Sequence, residues 1–337
     1  MRSNLYRIGD RLAAYPLKSL FRLGREVTQT SVWLGVALVL GLCAVTLPFR
    51  SAMMQTPEPS ALQAAPSKPA KDPAGIGRSF KGPVGVQLYS LRREFERDGV
   101  AATLARVRAM GIREIETAGY YGLTAAAFRA ELDKAGLKAV SMHVDFDGLR
   151  VKLNEIISDA RVLGVSYVVC PWIPHQYPFT LEQAKQAMLV FNQAGAVFKA
   201  AGLKFCYHPH GYEFQPFGAG TLFDWLAQQT KPELVSFELD VFWATHGGQD
   251  AAKLLLKYPR RFVLAHLKDL RKDVPGDLTG DTTDDTSVVL GTGKVDWAAV
   301  LRAARQIGLK QYFIEAEEPE AAANIPLSFR FLEKLRF

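Results

Sequence analysis

Six histidines are present, and each falls at or just beyond the end of an apolar, strand-like run. They are His143 in KAVSMHVDF, His175 in YVVCPWIPH, His208 and His210 in KFCYHPH, His246 in FELDVFWATH and His266 in FVLAHLKD. Acids occupy matching places: Glu116 in EIETAG, Asp240 in FELD and Glu315 in YFIEAEE. Imidazoles and carboxylates gathered into one pocket make the ligand set of a divalent metal. That chemistry requires the runs to converge, which turns attention to the elements that carry them.

From residue 83 the chain alternates strand-like and helix-like segments. The strand-like runs are 84–90, 114–120, 138–144, 166–172, 204–210, 235–243, 261–269 and 311–318. Short apolar runs without polar alternation suit strands buried on both faces of a parallel sheet. Amphipathic stretches such as AATLARVRAMG, NEIISDARVLG and WAAVLRAARQIG lie between them. Gly111, Gly136, Gly164, Gly202 and Gly308 stand just before strands, where a helix is expected to stop. Eight such units in about 255 residues predict an α/β (β/α)8 TIM barrel. A doubly wound open sheet is the competitor, but its glycine-rich phosphate turn is absent from VGVQLYSLRREF. In a barrel the carboxyl ends of all strands meet on one face, so the histidines and acids share one site.

His208, Asp240, His266 and Glu315 then close strands five to eight. Two imidazoles and two carboxylates on adjacent strands can bind one divalent metal: Mn²⁺, Mg²⁺, Co²⁺, Fe²⁺ or Zn²⁺. A metal on a substrate carbonyl or hydroxyl stabilises a developing enediolate, and a nearby carboxylate or imidazole moves the proton. Glu315 or Glu116 is the candidate base, and His143 or His210 its proton partner. Lys268 is placed to neutralise an oxyanion or to pair with Asp269 or Glu315. Tyr120 and Tyr121 are placed for stacking on a substrate or for packing. His175 follows two prolines on a rigid lip over the pocket, and His246 precedes Gly247-Gly248 and reads as a solvated loop residue, with contact to substrate the alternative for each.

These stretches carry a family resemblance. YHPHGYEF (207–214), FELDVFW (237–243), AHLKD (265–269), GTGKVDW (291–297) and FIEAEE (313–318), with QLYSLR and EIETAGYYG earlier, resemble the xylose isomerase-like sugar phosphate isomerase/epimerase superfamily over residues 83–337. The resemblance implies a barrel with one divalent metal at His208, Asp240, His266 and Glu315. It implies that Glu116, His143, His210 and Lys268 face the substrate, a sugar or cyclitol. Two positions depart from the pattern: His208 stands where many epimerases of the superfamily carry glutamate, and Pro209 where asparagine is common. A mechanism built on two opposed, metal-bound glutamates does not transfer intact.

Charge divides the chain. Residues 1–82 hold 11 Lys and Arg against 4 Asp and Glu, leaving 30 of each sign in the remainder. A net-neutral body offers no phosphate track, which argues against a nuclease and a nucleic-acid partner. Residues 32–49, VWLGVALVLGLCAVTLPF, are uncharged and about the minimum length of a transmembrane helix. The basic segment 1–31 precedes them, so the expectation is a single-pass anchor with a cytoplasmic amino terminus and a periplasmic or extracellular barrel. A cleaved signal peptide is the rival reading. Residues 50–82, rich in Pro and Ala, read as an extended linker. Cys43, Cys170 and Cys206 form no disulfide framework. Two functions follow: a membrane-anchored, metal-dependent isomerase, epimerase or lyase, or an accessory extramembrane subunit of an integral membrane complex tethered through residues 1–82. The 271–294 loop, with five aspartates, reads as solvated charge or a mobile cover, with a second metal site as the sharper alternative.

Overall fold

The computed structural model describes residues 77–337. Eight parallel strands close into a barrel. They are β1 (Val84–Gln87), β2 (Glu114–Thr117), β3 (Lys138–His143), β4 (Tyr167–Cys170), β5 (Lys204–Tyr207), β6 (Val235–Asp240), β7 (Phe262–Leu267) and β8 (Gln311–Ile314). Each pairs with its neighbour in sequence, and β8 closes on β1 through Val84 against Tyr312 and Val86 against Ile314. The helices that precede the strands wrap the outside. They include α1 (Val100–Ala109), α2 (Ala125–Ala135), α3 (Leu153–Leu163), α4 (Leu181–Ala200) and α5 (Trp297–Ile307). The expected helix-ending glycines all adopt positive φ, from 68° at Gly136 to 86° at Gly111, a conformation that costs a side-chain-bearing residue about 1 kcal/mol or more.

Two apolar regions support the sheet. The larger lies between strands and helices and includes Val86, Leu104, Phe128, Phe198, Phe237 and Leu301. A second, small cluster of Val140, Val169, Cys206, Leu264 and Phe313 draws one residue from each of five strands. Because strand side chains alternate, Cys206, Leu264 and Phe313 share a face with His208, His266 and Glu315, two residues further on. This cluster is therefore the apolar floor beneath the polar side chains. Two register shifts sit beside it: Ile115 pairs with Ala139 but Glu116 with Ser141, and Phe237 pairs with Phe262 but Glu238 with Leu264. Such bulges re-aim the side chains that follow them, here Glu116 and Glu238.

Several expectations are corrected. The run 235–243 is not one strand: it ends at Asp240, and Val241–His246 forms a short helix. The Asp240 side chain accepts the Trp243 amide at 3.0 Å and so starts that helix. His246 is buried rather than solvated, its Nδ1 lying 3.8 Å from Asp277. Within the stretch read as linker, Phe80 is buried and meets Tyr312 edge-on at 5.0 Å between ring centres, so the barrel's packing begins before residue 83. Among the described residues no helix is long and apolar enough to cross a membrane. The candidate anchor 32–49 and the segment 1–31 lie outside the described residues.

Candidate metal centre and proton-transfer site

Alternation along the strands brings the polar side chains to one place in two tiers. In the upper tier Asp240 ends β6, and His208 and Glu315 follow β5 and β8. Their backbones continue the ladders: the His208 amide donates to the Cys170 carbonyl at 3.0 Å and the Glu315 amide to the Leu267 carbonyl at 3.2 Å. His266 Nδ1 lies 3.2 Å from Glu315 Oε2 and 3.7 Å from Asp240 Oδ2, and His208 Nε2 lies 3.7 Å from the same Asp240 oxygen. In the lower tier are Glu116, His143 and Glu238. His266 Nε2 lies 2.6 Å from Glu116 Oε1 and 3.3 Å from Glu238 Oε2, and His208 Nδ1 lies 3.2 Å from Glu238 Oε2. His143 Nε2 sits 2.9 Å from Glu116 and 3.4 Å from Glu238. Gln87 donates to Glu116 at 2.7 Å, and the Ser141 hydroxyl donates to its other oxygen.

The residues present suit a divalent ion. Asp240, His266 and Glu315 offer ligand atoms close enough to share one, as do His143, His208, Glu238 and His266. His208 Nε2 and Asp240 Oδ2 are buried and make no hydrogen bond. Their 3.7 Å separation is too long for one. Buried polar atoms without partners are costly, and a cation taken by both would remove that cost. His208, Asp240, His266 and Glu315 would hold it.

Electrostatics give the groups different protonation states. Burial pushes the Glu116 carboxyl up, but His143 and His266 outweigh it and hold it well below the usual range. Burial, then the neighbouring Glu116, raises Glu238 to about 7. Burial alone would lower His143, yet Glu116 and Glu238 lift it to about 9. His208 is driven well below its ordinary value by burial and the nearby His266, His210 and His143, so it is neutral and competent as a ligand. Burial raises Glu315, but Lys268 and His266 prevail and keep it ionised. Burial opposes charge on Lys268, yet Glu315 and Glu317 keep it protonated. Lys268 Nζ stands 2.9 Å from Glu317, without hydrogen-bond alignment, and 3.6 Å from Glu315.

His266 stands well above its ordinary value, because Glu238, Glu315 and Glu116 outweigh burial. An entering ion must therefore displace a proton. The folded, ion-free protein holds this proton more tightly than the unfolded chain, so its stabilising effect is full at low pH and lost as pH rises. Ion binding has the opposite trend: affinity is expected to strengthen by about tenfold per pH unit for each proton displaced. Calorimetry in buffers of different ionisation enthalpy should register proton release near neutral pH. Affinity that stays constant between about pH 6 and 8 would contradict this.

The structure thus brings together His208, Asp240, His266, Glu315, Glu116, His143 and Lys268. His210 stacks on His208 at 4.7 Å between ring centres and lies 5.4 Å from Trp172 and 5.1 Å from Trp243, in an aromatic wall beside the upper tier. His175 bonds the Ile173 carbonyl at 2.8 Å and packs 3.9 Å from Tyr212. The Tyr120 hydroxyl donates to Asp159 of α3 at 3.0 Å, and Tyr121 stacks on Phe95. Sequence reasoning missed Glu238, Gln87 and Ser141. Glu238 had a signal: it precedes Asp240 by two residues on one strand and so must share its face.

Comparison with known proteins agrees with the barrel fold. The family described as xylose isomerase-like TIM barrel matches residues 104–335. Inosose dehydratase of Geobacillus kaustophilus is 25% identical over 298 residues, spanning 78% of this chain and 93% of the relative. Inosose dehydratase of Clostridium perfringens is 28% identical over 206 residues, spanning 57% of this chain and 66% of the relative. The crystal structure of a sugar phosphate isomerase/epimerase from Parabacteroides distasonis matches with a TM-score of 0.63 at 28% identity, covering 75% of this chain and 98% of that one.

Proposed function

The chain belongs to the xylose isomerase-like TIM-barrel family, and from that premise we propose that it is a divalent-metal-dependent lyase or isomerase of a sugar or cyclitol carrying a carbonyl group. The observation that carries this reading is one buried donor set: Asp240, His266 and Glu315 offer ligand atoms close enough to share an ion, with His143 2.9 Å from Glu116 and Lys268 3.6 Å from Glu315 beside them. A bound divalent ion would supply Lewis-acid stabilisation of negative charge on a substrate oxygen. Glu315 is the group able to take a proton from the carbon beside the carbonyl. His143 is the group able to give one. Returned to carbon, that proton completes an isomerisation or epimerisation. Given to a departing hydroxyl, it completes loss of water. Lys268, wholly buried and cationic, holds Glu315 ionised. Glu116 is fully buried and wrapped by Gln87, Ser141, His143 and His266. It therefore positions and charges His143 rather than meeting substrate.

The named relatives point the choice of substrate toward an inosose and the choice of reaction toward dehydration. The test incubates the purified chain, loaded in turn with Mn²⁺, Co²⁺ or Zn²⁺, with inosose in D₂O. Expected are exchange of the carbon-bound proton by NMR and ultraviolet absorbance from a conjugated product. His143→Gln should slow the reaction by about 10²–10⁴-fold. Absence of both exchange and water loss with every ion would sink the proposal. A barrel kept solely as an accessory subunit is disfavoured on energetic grounds. Buried carboxylates and histidines are costly where they perform no task.

For the segment outside the described residues, the proposal remains a single-pass anchor at 32–49, supported by its uncharged composition and the basic residues before it. The full chain should stay with membranes through alkaline carbonate extraction. Release into the supernatant at full length would contradict it.

A further inference from the structure

We propose that Glu238 is a positioning residue for the metal, acting by deciding which nitrogen of His208 faces it. The inference rests on the metal-centre reading above. A neutral imidazole carries one N–H and one lone pair, and a carboxylate beside one nitrogen draws the proton there. His208 Nδ1 lies 3.2 Å from Glu238 Oε2, whereas Nε2 is buried and makes no hydrogen bond. Glu238 therefore holds the proton on Nδ1 and leaves the Nε2 lone pair toward Asp240. His266 repeats the arrangement with the ring reversed: Nε2 sits 2.6 Å from Glu116, and Nδ1 faces Asp240 and Glu315. Each ligand ring thus stands on a buried acid and offers its other nitrogen to the upper tier. Partners of this kind orient ligating histidines and raise their basicity.

Glu238 is built for this role. It is wholly buried, follows a register shift in the β6–β7 pairing, and sends Oε2 toward His143, His208 and His266 at 3.4, 3.2 and 3.3 Å. Its other oxygen has no hydrogen-bond partner. The surrounding cluster of Glu116, Glu238, Asp240, Glu315 and Glu317 holds more carboxylates than His143, His266 and Lys268 can offset as cations. An extra buried acid there does not serve the stability of the ion-free fold.

The test compares Glu238→Met, which keeps shape and removes the acceptor, with Glu238→Gln, which keeps an acceptor and removes charge. Mn²⁺ and Zn²⁺ affinity and stoichiometry are measured on the full chain by competition with a chelator, and urea unfolding is followed in chelator. Glu238→Met is expected to weaken ion binding by about 10- to 100-fold, Glu238→Gln by less, with neither ion-free variant less stable than the parent. Nitrogen-15 NMR of the ion-free chain should show His208 protonated on Nδ1, and mixed tautomers in Glu238→Met. Unchanged affinity in Glu238→Met would overturn the inference, as would a second bound ion in the parent that this variant loses, since Glu238 would then be a ligand itself. If Glu238→Met fails to fold, unchanged affinity together with unchanged His208 NMR signals in Glu238→Gln overturns it. Failure of the parent chain to bind either ion defeats the underlying metal reading instead.

Discussion

Replacing His266 with alanine is expected to reduce ion affinity by at least about 10³-fold, or ~4 kcal/mol, and to remove turnover with it. His266 is the one ring in contact with all four neighbouring carboxylates: Glu116, Glu238, Asp240 and Glu315. Its Nδ1 belongs to the candidate ligand set, and its Nε2 bonds the acid that also orients His143. The same change leaves these acids buried with His143 and Lys268 as the nearby cations, so the ion-free variant should lose about 3–5 kcal/mol of stability. Ion titration and urea unfolding in chelator measure the two effects separately. Affinity within about threefold of the parent would show that His266 is not a ligand.

The second large effect is expected at Asp269, which touches no candidate ligand atom. Its buried carboxylate accepts the Leu270 and Val295 amides on Oδ1 at 2.9 and 3.2 Å. On Oδ2 it accepts the Gly291 and Gly293 amides and the Trp297 indole at 2.8, 3.2 and 2.9 Å. One side chain thereby ties the end of β7 to the far end of the 271–296 connection. A side chain at Gly293 would run into Asp269, which accounts for the small residue in GTGKVDW. Asp269→Ala strands these donors, and Asp269→Asn turns an amide toward some of them. Hydrogen bonds to a charged group contribute about 1.5–3 kcal/mol each, and they are not additive. A total loss of about 3–5 kcal/mol is expected for alanine, with somewhat less for asparagine. Urea unfolding measures it, and limited proteolysis should locate new cleavage within 271–294. A variant as stable as the parent and equally resistant would show that the loop is held by other means. Other ties exist: Asp269–Leu270 pairs with Ser287–Val288, the buried Ser287 hydroxyl donates to Glu318 at 2.9 Å and the Leu290 amide to Ser328 at 3.2 Å, while Arg92 and Arg93 meet Asp284 and Arg271 meets Asp273 and Asp285; the exposed ion pairs among them contribute about 0–1 kcal/mol each.

The barrel was legible because its eight strands are short apolar runs separated by amphipathic helices ending in glycine, patterns that depend on local spacing alone. The convergence of His208, Asp240, His266 and Glu315 followed once the strands were counted. What was not legible depended on register and on distant partners. Glu238 and Glu116 are aimed by bulges on the strands opposite them, and no local pattern marks those bulges. The 235–243 run looked like one strand because Val241, Phe242 and Trp243 are as apolar as the strand before them, yet the Asp240 cap turns them into helix. His246 looked solvated beside two glycines, although the 271–294 loop returns over it through Asp277. Asp284 read as free charge because its partners Arg92 and Arg93 lie far away in sequence.

One divalent ion is expected to bind on the upper tier of the barrel mouth. Anomalous diffraction at a metal absorption edge, from crystals grown with Mn²⁺ or Zn²⁺, tests it most directly. One strong peak is expected among His208 Nε2, Asp240 Oδ2, His266 Nδ1 and Glu315. No peak there at saturating metal, or a peak held only by the aspartates of the 271–294 loop, would contradict it.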